Sequence, residues 1–387
     1  MRKEMKIKKF LSLLALAAAF LVLFTPTVSA TDAAPVGEAE IMENWKALVG
    51  SLPPEVADLL PDGFFEQNAE GLATGAKSAG ALGTVLKVIG SLTGAKIGAC
   101  LSLLALLVGI LLLSALLKAL AENGQATLSP ALSLCTALVI TILIFSRGGT
   151  GFAEIAGFFE MVRSIAVALV PLMGALYAMG GNVGAAVANH GVMSGFLAIL
   201  ESVCSGSVLP VATVLVAMAL LDAVSDRASL TALAALIKRT FTLGLSFLMM
   251  LLCFVLGLQT TLAKGADTLA LRTARFAAGS FLPVVGSSVG EALRTVAGSV
   301  QYLRGSVGVG GILLIFFAFL PTFLSVLFTK LTLGLASAVA GLLSCKREEK
   351  LLLELAGVWG YFLAVIAALF VMMVFSLTLL ARCAAAG

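Results

Sequence analysis

The sequence predicts an all-α, polytopic transmembrane protein with a cleavable signal peptide and about seven or eight spans. Three observations predict it. Hydrophobic residues make up 60% of the 387 positions and charged residues 12%, where a soluble domain carries about 25% charged residues. The mean hydropathy is +1.09. Apolar runs long enough to cross a bilayer recur, and within such runs helices satisfy every backbone polar group internally. This composition excludes a soluble enzyme, a disordered linker and a nucleic-acid binder.

The first 30 residues read as a targeting segment. Arg2, Lys3, Lys6, Lys8 and Lys9 precede an apolar run at 10–24. Thr25-Pro26-Thr27 breaks the run, and Val28-Ser29-Ala30 places small residues where a signal peptidase reads. The run is shorter than the ~20 residues a span needs, so cleavage after Ala30 is expected. Residues 31–97 then form a short acidic exported segment and an interfacial helix. Nine acids face four bases there, whereas residues 98–387 carry 16 bases and 11 acids. Within the exported piece, residues 41–49 suit one amphipathic helix, which Pro53-Pro54 stops. A piece this small cannot build its own core and must lean on the membrane body or a partner.

A five-span membrane region is expected over 98–262, with spans at 98–120, 131–145, 162–181, 192–221 and 240–262. Lys118 ends the first and can snorkel to the interface. Asp222 and Asp226 cap the fourth and read as solvated. Residues 263–306 read as an amphipathic or re-entrant basic loop, because Lys264, Arg272, Arg275, Arg294 and Arg304 outnumber Asp267 and Glu291. In that loop Val289, Leu293, Val296, Val300 and Leu303 fall at helical spacing. The C-terminal membrane region, 307–387, holds a span at 307–329, an apolar run at 331–345 that pairs with it as a hairpin, a charged loop at 346–350, and a last span at 355–380. With the front segment outside, the basic loops 263–306 and 346–350 fall in the cytoplasm, as the positive-inside tendency requires.

Chemistry-bearing patterns are scarce. The six cysteines lie in or beside apolar runs, without a C-x-x-C pair, and read as small hydrophobes. The single histidine, His190, cannot make a His-based metal site. No P-loop, H-E-x-x-H or G-x-S-x-G pattern occurs. No enzyme activity, cofactor or metal is therefore expected. Glu201, beside Ser202 and Ser205 in the fourth span, is the candidate intramembrane polar site, since an ionisable group in a span tends to face a cavity or a partner helix. Pro171, Pro210 and Pro321 fall within spans. Gly94-x-x-x-Gly98, Gly286-x-x-x-Gly290 and Gly334-x-x-x-Ala338 favour close helix approach.

The most distinctive stretch is 276–311. Phe281-Leu282-Pro283-Val284-Val285-Gly286 is followed by Glu291-Ala292, Thr295-Val296 and Ser306-Val307-Gly308-Val309-Gly310-Gly311. This resembles the stage III sporulation protein AE family, whose pattern has an F-[IVL]-P-V-V-G core, an amphipathic stretch and a V-G-x-x-G lead-in to the next span. The order of parts along the chain resembles that family too. Phe281, Pro283, Gly286, Glu291, Arg294, Gly308 and Gly311 are thereby marked as a candidate contact loop. The resemblance implies a membrane subunit of the channel complex linking mother cell and forespore after engulfment, in the mother-cell membrane around the forespore. Implied partners are the other stage III sporulation A-operon proteins, among them an ATPase and ring-forming members, and a forespore-side protein. It carries over no catalytic residue.

A stand-alone secondary transporter is the competing reading. It requires symmetric halves with broken helices and midplane ionisable groups. The chain shows no convincing internal repeat, and Glu201 stands alone.

Overall fold

In the computed structural model the described residues are 38–60, 82–122, 128–147, 152–179, 204–224, 230–248 and 286–384, with a few isolated positions besides. They are helical, with no strand among them. The segment 1–30, His190, Glu201, Asp226, Phe281 and Pro283 lie outside them.

Two short helices open the described chain, α1 (Glu38–Val49) and α2 (Pro54–Ala57). Pro54 stands in the first turn of α2, where its missing N–H costs nothing. Trp45, Leu48 and Val56 are buried. They are covered because α1 packs on α5 (Phe152–Met179) and α2 on α8 (Gly286–Leu342). The small front piece thus borrows its core from the helical body.

Helix α3 (Leu82–Glu122) is continuous for 41 residues, about 61 Å at 1.5 Å per residue. The sequence suggests an interfacial helix giving way to a span near residue 98. The two are one unbroken helix, because Gly90, Gly94 and Gly98 weaken it by only about 1 kcal/mol each and no proline interrupts it. Next come α4 (Leu128–Arg147), with Pro130 in its first turn, and α5, which continues through Pro171. A π-helical turn at Cys204–Val208 leads into α6 (Leu209–Val224). The wider turn gives room for the ring of Pro210, which would otherwise press on the carbonyl four residues back. Helix α7 (Thr231–Leu248) begins nine residues before the expected 240, taking in Lys238 and Arg239.

The largest departure from expectation is α8. It runs unbroken for 57 residues, through Pro321. The run 331–345 is therefore not a second arm folded back on 307–329; it continues the same helix to Leu342. Nor does a turn separate 286–306 from the span that follows. The Gly310-Gly311 pair does not stop the helix, which ends only at Leu343-Ser344-Cys345. There Ser344 adopts φ 56°. The Cys345 N–H reaches the Ala340 carbonyl at 2.9 Å, and the Ser344 N–H the Gly341 carbonyl at 3.1 Å. These two bonds satisfy two of the orphan carbonyls of the helix end. Helix α9 (Lys346–Ala384) starts at once, and the expected charged loop 346–350 is its first turn. Glu348 and Glu349 there complement the positive helix N-terminus.

The α8–α9 hairpin forms the centre of the packing. An aromatic seam holds it to its neighbours. Phe158 of α5 meets Phe319 edge-on at 5.0 Å, Phe319 meets Phe370 at 5.7 Å, and Phe241 of α7 meets Tyr361 at 5.2 Å. Hydroxyls inside the helices bond backward: Thr141, Thr329 and Thr378 each donate to the carbonyl four residues earlier, so none is left unsatisfied in apolar surroundings. Among the described residues six helices are long and apolar enough to cross a membrane, and Ala131–Ile144 is a shorter apolar helix. The protein is a helical membrane protein.

Candidate functional site

The first turns of α9 carry three side chains that pair with three other helices. Glu348 takes the Lys118 ammonium of α3 at 2.5 Å. Lys350 binds Asp222 at the end of α6 at 2.7 Å. Glu354 binds Lys238 of α7 at 3.2 Å. Lys350 and Glu354, four residues apart, share one face of the helix, and Glu348 lies on the far side, so one helix end clamps three neighbours.

Each pair is built from the local sequence. Glu348 is 1% exposed. Its Oε1 also accepts from the Ser114 hydroxyl at 3.2 Å. Thr136 Oγ1 of α4 lies 3.2 Å from Ser114 Oγ, and its one proton serves either that oxygen or the Leu132 carbonyl at 2.8 Å. Glu348 Oε2 is buried with no hydrogen-bond partner among the described residues. Asp222 is 5% exposed and accepts three donors: Lys350, the Leu230 N–H at 3.0 Å and the Thr231 hydroxyl at 3.0 Å. It thereby closes the start of α7 across the α6–α7 connection.

Beside this clamp sits Cys345, also buried. Burial pushes its thiol above the usual cysteine range; the Lys118 charge pulls the other way, and Glu348 adds to the rise. The thiol is thus held protonated and inert. Among the described residues no group of three or more His, Cys, Asp or Glu could hold a metal ion. The arrangement is an electrostatic clamp that sets helix register. Ion pairs of this kind contribute little net stability against an apolar replacement, but removing one partner strands a buried charge.

The candidate polar site Glu201 and the candidate contact loop fare differently from one another. Glu201, Phe281 and Pro283 lie outside the described residues. Gly286, Glu291 and Arg294 lie in the first turns of α8, on one continuous helix with Gly308 and Gly311. Gly308 is buried. Gly311 lets α9 approach: a Cβ there would stand 3.0 Å from the Leu377 Cδ1. By contrast, a Cβ on Gly94, Gly98 or Gly334 would meet nothing within 4 Å. The small-residue spacings at 94–98 and 334–338 are therefore not the close contacts of this chain.

The clamp itself was not anticipated. Lys118 does not snorkel free but meets Glu348, and Asp222 is enclosed rather than solvated. One signal was present. Lys118, Asp222 and Lys238 flank apolar runs, and the stretch 348–354 supplies the opposite charge to each.

The family model described as stage III sporulation protein AE matches residues 65–384. A relative named stage III sporulation protein AE, from Bacillus subtilis (strain 168), is 25% identical over 188 residues. That alignment takes in 49% of this chain and 47% of the relative, so the match spans about half the relative's length. No solved structure matches the chain. With the family model covering the clamp, the α8–α9 hairpin and every long apolar helix described, the chain belongs to the stage III sporulation protein AE family.

Proposed function

We propose that this protein is an integral membrane subunit of the sporulation channel or secretion-like complex that links mother cell and forespore. It acts after engulfment, in the mother-cell membrane around the forespore, and forespore development depends on it. Its partners are the other stage III sporulation A-operon proteins and a forespore-side protein. It has no enzymatic role of its own. The observation that carries the reading is the family match across 65–384. The packing is in keeping with it: the polar groups described lock helices together, as a scaffold subunit needs.

The test is deletion of the gene in its own host, followed by microscopy and a late forespore-specific reporter. Arrest after engulfment with a silent reporter is expected. Normal spores would overturn the reading and leave a transporter of unknown substrate. Arg294→Glu is expected to reduce recovery of the assembled complex while the protein still inserts; unchanged recovery would remove the 263–306 region from the contact surface.

A further inference from the structure

Helices α7, α8 and α9 leave an open groove of about 740 Å³ between them. Its floor is the backbone of α9 at Gly357 and Gly360. Two lysine side chains lie over these glycines. A Cβ on Gly357 would stand 2.6 Å from Lys238 Nζ, and one on Gly360 would stand 3.4 Å from Lys330 Nζ. One turn of α9 thus admits two ammonium groups, one from each neighbouring helix. Arg239 adds a third cation to the lining.

The charges do not balance. Glu354 answers Lys238, but Arg239 and Lys330 meet no carboxylate among the described residues. Lys330 interrupts the apolar stretch Val307–Leu342, where an unpaired charge is costly. An anion that entered the groove would remove that cost. The outer face of α7 says what else the anion carries. Leu236, Leu243 and Phe247 repeat on one side of the helix and are 59%, 61% and 46% exposed. Leu243 also lines the groove. An apolar strip therefore leads straight into a cationic pocket, which is the chemistry of an anionic amphiphile.

We propose that this groove binds the phosphate of an anionic phospholipid between Lys330, Arg239 and Lys238, with an acyl chain along Leu243 and Phe247. The site is independent of the sporulation reading, since it rests on the groove alone.

The experiment titrates the purified full-length protein in neutral detergent with phosphatidylglycerol, phosphatidylcholine or inorganic phosphate. Thermal midpoint and retained lipid, counted by native mass spectrometry, are the readouts. Phosphatidylglycerol is expected to raise the midpoint and stay bound, whereas phosphatidylcholine and inorganic phosphate do neither. Lys330→Gln with Arg239→Gln is expected to weaken the binding about tenfold or more, and Lys330→Arg to retain it. Ala235→Leu, at an exposed lining position, narrows the groove with its charges intact and is expected to weaken binding too. Equal binding of phosphatidylglycerol by wild type and the double Gln variant would overturn the proposal. So would equal stabilisation by phosphatidylcholine, or a full effect from inorganic phosphate alone.

Discussion

Helix α3 and the α8–α9 hairpin are both long and strongly apolar, yet they use that surface in opposite ways. The apolar window of α3 is 22% buried within the protein, and that of α8 is 61% buried. On α3, Leu101, Leu112, Leu113, Leu116 and Leu120 point outward. On α8, Leu314, Phe317 and Ala318 are wholly enclosed. Hydropathy does not separate the two, because in a bilayer an exposed leucine is as well solvated as a packed one. What separates them is contact chemistry. The hairpin has aromatic rings at edge-on distances, a glycine where α9 closes in, and ion pairs at its tip. Only the inner face of α3, at Leu107, Leu111, Ser114 and Lys118, joins in.

The comparison can be broken where the two regions meet. Lys118→Met strands the Glu348 carboxylate, which is 0% exposed in its side chain, and is expected to destabilise the fold by about 3–5 kcal/mol. The double replacement of Lys118 and Glu348 by Met should recover most of that. Unfolding in mixed detergent reads both, and a double variant as unstable as the single one would mean that the clamp's packing, rather than its charge, holds the hairpin.

A smaller effect contrasts two glycines. Gly311→Leu drives side-chain atoms into Leu377 and is expected to cost about 1–3 kcal/mol. Gly98→Leu meets open space and should cost nothing, or gain slightly from helix propensity. Equal losses at both sites would show α3 to be packed against something in its folded state.

Ser344→Gly sharpens the picture at the hairpin tip. Ser344 holds φ 56°, which a residue with a Cβ adopts at a cost of about 1 kcal/mol. Glycine there should raise stability by about that amount, read as a shift of the unfolding midpoint. No gain would mean that the Ser344 side chain compensates for its backbone.

The smallest expected signal is chemical. The Cys345 thiol is buried and its pKa is raised, so its thiolate is scarce at pH 8. Alkylation should be slow in the folded protein and fast once the hairpin is unfolded. The sign follows from the shift: raising pH should speed the reaction later than for an exposed cysteine. Rapid labelling at pH 8 would show that the tip opens.

Much of the fold was legible in the residues, and the reasons are physical. Membrane helices need long uncharged runs, so the runs around 98–120, 307–329 and 355–380 announce themselves. The resemblance at 276–311 pointed to the family that the match over 65–384 establishes. Helix ends were less legible. A charge cluster such as 346–350 reads as a loop when each charge is assumed to seek water. It becomes a helix start once each finds a buried partner. The continuity of α8 past 331 was hidden likewise, since an apolar run has the same composition whether it turns or continues.

Composition and pattern by themselves determined that this protein is helical and lies in a membrane, because those properties depend on the solvent a segment can tolerate. Only the tertiary structure decided which apolar faces meet protein, which glycines are approached and which charges pair. Lys118 with Glu348, Asp222 with Lys350 and Lys238 with Glu354 are separated by more than a hundred residues along the chain. Their pairing depends on how the helices pack side by side, and no local stretch of sequence encodes that.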